Sequence, residues 1–146
     1  AGEYNPRFIV DLATLTGAVV IALGNEGSGM WTNDENLGKL VLKSGKECDE
    51  LIWQMPLWPG FEKEMTGSKV ADVRDLGKTR WGGSNTAASF LKQFVPNNED
   101  GLQIPWAHID IAGTAGMSGQ KENSFVKHGA TGVHVRTLVH MIKNLE

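Results

Sequence analysis

His108-Ile109-Asp110 places two metal-competent side chains two residues apart. On a strand such residues share a face, so both could reach one ion. A metal site needs three or four ligands, however, and no second His/Asp/Glu cluster stands out. The competing expectation is a buried, hydrogen-bonded His–Asp pair at a strand end. Ser84, in Gly82-Gly83-Ser84-Asn85-Thr86, invites comparison with a nucleophile elbow. Thr86 stands where the G-x-S-x-G pattern requires glycine, so Ser84 is expected to cap a helix instead. Gly24 to Gly29 is glycine-rich, but no G-K-[ST] follows and no G-x-G-x-x-G fits, which leaves a plain turn. Cys48 has no catalytic signature around it and falls on a helical apolar stripe, as a small buried hydrophobe would. His128, His134 and His140 read as surface or loop residues whose spacing suggests no site.

The elements that must position these groups can be read from periodicity. Arg7 to Ala13 is a β-rich apolar run with little alternation, as in an inner parallel strand. It runs through Thr14-Leu15-Thr16 into a glycine-marked turn, and a short buried helix is expected from Gly17 to Leu23. The carboxyl end of such a strand is where small ligands usually sit in an α/β sheet. Thr32-Asn33-Asp34-Glu35 matches a capping box ahead of a helix from about Asp34 to Cys48. A short strand over Leu51 to Met55 is stopped by Pro56. Phe61 to Met65 should form a helical turn or two, and Lys69 to Val73 another strand. Ala87, Phe90, Leu91 and Phe94 fall at helical spacing in a helix opened near Gly82 and ended by Pro96. Trp106 to Ile111 is a strand. Residues 112–132 are irregular. The last helix carries Val135, Leu138, Val139, Ile142 and Leu145 on one face. Strands alternating with helices predict an α/β layer with a largely parallel sheet.

The chain has 146 residues, enough for one domain with a real core. A net charge of −3 with scattered Lys and Arg argues against nucleic-acid or anionic-membrane partners. A single cysteine fits a reducing, cytoplasmic compartment. No apolar run approaches the roughly 20 residues of a membrane helix. The five tryptophans are expected mostly in the core or at subunit contacts.

Several blocks, in order, resemble the leucyl (cytosol) aminopeptidases over nearly the whole chain. The most specific is Asp11-Leu12-Ala13-Thr14-Leu15-Thr16-Gly17-Ala18. Trp53 to Leu57, Ala71 to Gly77 and Thr86 to Leu91 follow. Trp106-Ala107-His108-Ile109-Asp110-Ile111-Ala112-Gly113 and then Gly129-Ala130-Thr131-Gly132 complete the series. The resemblance implies a three-layer α/β sandwich with a central mixed, largely parallel sheet and helices on both faces. It implies that this chain is the C-terminal portion of a catalytic domain, lacking the upstream metal-ligand segments.

The family's enzymes are two-metal exopeptidases that remove an N-terminal residue, often leucine, from peptides. The metals, zinc with manganese or magnesium in one site, activate a bridging water and polarise the scissile carbonyl. Their ligands, some within an N-T-D-A-E-G-R motif, and the catalytic lysine and arginine belong to a portion not found in this sequence. Asp11, His108 and Asp110 do not match those ligands, so no catalytic or metal residue is expected here, and the chain alone should be inactive and bind no metal. Carried over by position, the residues here are substrate contacts. Leu15 would offer its carbonyl and Gly17 its N–H to the peptide, while Thr14 and Ala112 would border the side-chain pocket. Ala115 and Gly116 are small where relatives often place Met or Trp, and Met117 to Lys127 is longer than in many relatives. The family also implies a homohexamer. Some relatives bind DNA, which the acidic balance here disfavours. The alternative is a non-catalytic assembly or binding module derived from the same fold, in which the carboxylates of the N-T-D-A-E-G-R segment would be substituted.

Overall fold

In the computed structural model, residues 1–117 and 129–145 are described. His128 and nearly all of the long segment expected at 117–127 lie outside them. The main sheet has four strands: β1 (Ile9–Ala13), β2 (Ser28–Thr32), β3 (Ile52–Gln54) and β4 (Trp106–Asp110). Their spatial order is β1-β4-β2-β3. β4 is central and buried at every residue. It runs parallel to β1, from Ile9↔Trp106 to Ala13↔Asp110, and antiparallel to β2. β2 and β3 are parallel. The sheet is therefore mixed and mostly parallel. Five helices pack around it: α1 (Gly17–Leu23), α2 (Glu35–Glu47), α3 (Pro59–Thr66), α4 (Gly83–Lys92) and α5 (Val135–Lys143). A two-residue pairing joins Gly116–Met117 to Gly129–Ala130.

Side-chain alternation along β4 divides the core. Ala107 and Ile109 join Met30, Leu37, Val41 and Met141 on the α2–α5 side. Trp106, with Val95 and Ile104, packs on the other side, where α1 and α4 enclose Val19, Trp31 and Ala88. This is the expected α/β sandwich, in three layers. No helix among the described residues is long and apolar enough to cross a membrane.

The structure corrects several local expectations. β2 occupies the end of the glycine-rich stretch expected to be a plain turn. Gly29 fits there because a Cβ would come within 2.8 Å of Val19 and 2.9 Å of Trp31. Lys69 to Val73 is not a strand; Val70 is 96% exposed, and the segment takes part in none of the strand pairings among the described residues. Asp34, not Thr32, caps α2, accepting from the Leu37 N–H at 2.8 Å. The Thr32 hydroxyl instead donates to the Trp106 carbonyl at 2.7 Å. Gly82, with φ 64°, is the N-cap of α4, and Ser84 is buried within the first turn. α4 stops at Lys92, before Pro96. Cys48 is half-buried at the end of α2. Trp31 and Trp106 are core residues, whereas Trp53, Trp58 and Trp81 are exposed. In α5, Thr137 and Met141 face inward, and the expected apolar stripe at Val135, Val139 and Ile142 is largely exposed.

Candidate functional site

The carboxyl ends of β1 and β4 lie side by side because the two strands are parallel and in register. The Ile111 N–H extends the pairing by donating to the Ala13 carbonyl at 2.9 Å. Beyond this point the chains diverge into the turn 14–16 and the loop 111–116. The Asp110 carboxylate, fully buried, holds both. Its Oδ1 accepts from Leu15 N–H (3.0 Å) and Ala112 N–H (3.1 Å). Its Oδ2 accepts from Thr16 N–H (3.1 Å) and the Thr16 hydroxyl (2.8 Å). Thr16 in turn caps α1 by accepting from Val19 N–H at 3.1 Å. Four donors fill the acceptor capacity of one carboxylate. Asp110 is thus a bracket between two loops and has no free lone pair for an ion.

His108 is committed through one ring nitrogen only, its buried Nε2 having no hydrogen-bond partner among the described residues. Its Nδ1 lies 2.6 Å from Asp11 Oδ1, across the β1–β4 pairing. Asp11 Oδ2 also accepts from Trp106 Nε1 at 2.7 Å. The His108 ring packs against Trp106 and Trp31, at centroid distances of 6.2 and 5.9 Å. A His–Asp pair therefore exists, but the partner is Asp11 and not Asp110, and only the histidine is buried, the Asp11 side chain being 38% exposed. Asp110 has no free lone pair to offer beside the His108 ring, and no group of three or more His, Cys, Asp or Glu that could hold a metal ion is found among the described residues.

The four residues expected to touch substrate fall around this bracket. Thr14 is exposed, Leu15 and Ala112 are half-buried, and Gly17 is exposed as the first residue of α1. The Gly17 N–H has no acceptor within its own helix. A Cβ at Gly17 would meet no heavy atom within 4 Å, so the chain itself does not require glycine there. The structure thus brings all four to one end of the sheet.

A second polar cluster was not legible from the sequence. His134, expected at the surface or in a loop, lies in the turn before α5 but is fully buried, with φ 64°, the left-handed region that favours glycine. Its Nε2 lies 2.8 Å from Ser28 Oγ, which lies 2.7 Å from Thr114 Oγ1. Its Nδ1 lies 3.4 Å from Thr137 Oγ1 and 3.8 Å from Glu50 Oε2. Glu50 accepts from the Thr137 hydroxyl (2.6 Å) and N–H (3.0 Å), and from Arg136 Nε at 3.4 Å. Burial lowers the His134 pKa, and the neighbouring Glu50 charge only partly opposes this. Burial raises the Glu50 pKa, but the Thr137 hydrogen bonds and His134 outweigh it and hold the carboxyl below its ordinary value. The order Ser–His–carboxylate has the pattern of a hydrolytic triad. Ser28 is only 1% exposed and already bonded to Thr114, so no acyl group can reach it.

An α/β sandwich with loops bracketed at parallel strand ends defines the class. The comparisons name the family. Residues 1–139 match the cytosol aminopeptidase family, catalytic domain. The chain is 51% identical over 140 residues to a probable cytosol aminopeptidase of Prochlorococcus marinus, covering 96% of this chain and 27% of that protein. It is 47% identical over 142 residues to one of Phytoplasma australiense, covering 97% and 27%. A third, from Syntrophotalea carbinolica, is 43% identical over 143 residues, covering 98% and 27%. The chain belongs to the cytosol aminopeptidase family, and it spans about a quarter of the length of these relatives.

Proposed function

We propose that this chain is the C-terminal portion of the catalytic domain of an aminopeptidase that hydrolyses the N-terminal residue, leucine or similar, from peptides. The observation that carries the reading is the Asp110 bracket, which holds the turn 14–16 and Ala112 together beside Gly17, exposed and with open space where a Cβ would stand. In this reading Leu15 and Gly17 hold the peptide by main-chain hydrogen bonds, and Thr14 and Ala112 border the side chain of its first residue. Asp110 is a positioning residue that keeps these groups in register. β1 supports the reading further: its sequence is that of an inner strand, yet among the described residues it pairs only with β4 and is half-buried throughout. Additional sheet on that edge would bury it.

Two divalent ions, zinc, manganese or magnesium, belong to the proposal as groups held by residues outside this chain. The full-length protein is proposed to be a cytoplasmic homohexamer, with light scattering as the check; a monomer would overturn that part. The test of the site is Gly17→Val in the full-length protein, assayed on a leucyl peptide. The added side chain should lower kcat/KM at least roughly tenfold, from a lost hydrogen bond plus a clash, while metal content stays normal. Unchanged kinetics would remove Gly17 from the site. A wild-type protein with no aminopeptidase activity would favour the assembly module instead.

A further inference from the structure

The loop that carries Ala112 is turned on itself by the N–H groups of Thr114 and Ala115, which donate to the Ile111 carbonyl at 3.0 and 2.9 Å, but it has few side chains to hold it against the rest of the fold. Residues 112–116 are Ala, Gly, Thr, Ala and Gly, with almost no side-chain surface to pack. Its position therefore depends on close backbone approach and polar contacts. A Cβ at Gly113 would collide with the Gly24 carbonyl oxygen, so the loop lies directly on that turn. Thr131 binds its far side, the hydroxyl to Thr114 O at 2.7 Å and the N–H to Ala115 O at 3.1 Å. At its start Asp110 accepts from the Ala112 N–H, and a further anchor runs inward, from Thr114 through Ser28 to His134.

We infer that His134 is a positioning residue for the pocket wall, acting through Ser28 and Thr114 on the loop that carries Ala112. The inference rests on the reading of Ala112 as a wall of the substrate pocket. The hydrogen-bond chain has a definite direction. The Thr137 hydroxyl donates to Glu50, so both present acceptors to His134 Nδ1, which therefore carries the ring proton. Nε2 is left as an acceptor and receives a hydrogen bond from the Ser28 hydroxyl. The Ser28 oxygen then accepts from Thr114. One tautomer thus orients two hydroxyls and pins the loop. The backbone points the same way. Glycine would hold φ 64° without strain, and the position carries instead a side chain whose ring reaches Ser28. The strain is retained where a side chain makes a contact that glycine cannot.

The experiment compares Ser28→Ala, His134→Gly and His134→Gln with wild type, in the full-length, metal-loaded protein. Two readouts are needed: hydrogen exchange of the backbone over 111–116, and the split between KM and kcat on a leucyl peptide. Ser28→Ala and His134→Gly should both speed exchange at 111–116 and leave β1 and β4 protected. Each should raise KM roughly two- to tenfold, the value of one hydrogen bond, with kcat much less affected. The double variant should be no worse than the more affected single variant, because both break one chain. His134→Gln, which can return a polar atom toward Ser28, should recover part of the loss. Unchanged exchange over 111–116 in Ser28→Ala would overturn the inference. That variant removes a single oxygen, so it decides the matter even where His134→Gly fails to fold. Absence of activity in wild type would overturn the proposed function, while the exchange comparison would still decide whether His134 anchors the loop.

Discussion

Asp110 and Glu50 are both buried carboxylates that tie distant parts of the chain together, and they do so with different partners. Asp110 gathers donors from the turn after β1, about 95 residues away, and three of its four donors are backbone N–H groups. Glu50 reaches α5, 87 residues away, through the hydroxyl and N–H of Thr137, and sits beside His134. A bracket made mostly of main-chain donors depends on only one loop side chain, the Thr16 hydroxyl. A cluster made of Ser28, Thr114, His134 and Thr137 depends on each of them. The first arrangement lets most side chains of the turn 14–16 and of the loop after β4 vary while their backbone stays in place. The second ties the position of one loop to particular residue types far from it.

The largest expected effect tests the main-chain bracket. Asp110→Ala leaves four donors without their acceptor, and urea denaturation should show a loss of about 4 kcal/mol or more. Activity should fall with it, because Leu15 and Ala112 lose their common anchor. A loss below about 1 kcal/mol would mean that water or other groups replace the carboxylate readily, and the comparison would fail.

Glu50→Ala should destabilise less, by about 1–3 kcal/mol. Its principal loss is at Thr137, and the Arg136 partner is largely exposed and can turn to solvent. An effect as large as that of Asp110→Ala would erase the distinction between the two regions.

The smallest effect is in pH dependence. His134 is held below its ordinary value of 6.5, so the unfolded chain takes up this proton before the folded one does. Stability from His134 is present above 6.5 and is lost as pH falls through its lowered folded value. Glu50, held below its ordinary 4.5, adds a further loss below that pH in the same direction. The groups facing His134 are Ser28, Thr137 and Glu50, with Arg136 on the outer side of Glu50. Urea midpoints between about pH 5 and about pH 7 should decline toward acid in wild type and decline less in His134→Gln. Parallel curves for the two proteins would remove His134 from the acid response.

Local pattern made several elements legible. The apolar run before Ala13, the turn and the short helix from Gly17 to Leu23 were all readable, as was the strand over Trp106 to Asp110. The pairing of His108 with a carboxylate was readable too, but its partner was not. Asp110 is two residues away in sequence, and Asp11 is opposite only because β1 and β4 are parallel in one register. β2 was hidden because Ser28, Gly29 and Thr32 carry no strong strand pattern; it is a strand because β3 and β4 pair with it on both sides. Val70 illustrates the converse: a β-branched residue that is 96% exposed forms no strand, because strand propensity reflects packing on a half-buried pleated surface.

Sequence alone determined the α/β class, the family and the order of the blocks, because periodicity and local motifs are encoded within short windows. It also placed Thr14, Leu15, Gly17 and Ala112 as a group through the family resemblance. Only the tertiary structure decided that Asp110 is a bracket, that His134 is buried, and that Ser28, Thr114, Thr137 and Glu50 gather around it. Those outcomes rest on contacts between residues separated by up to 106 positions. Hydrogen bonds of that span are set by how strands and helices stack, and no local window of the chain contains both partners.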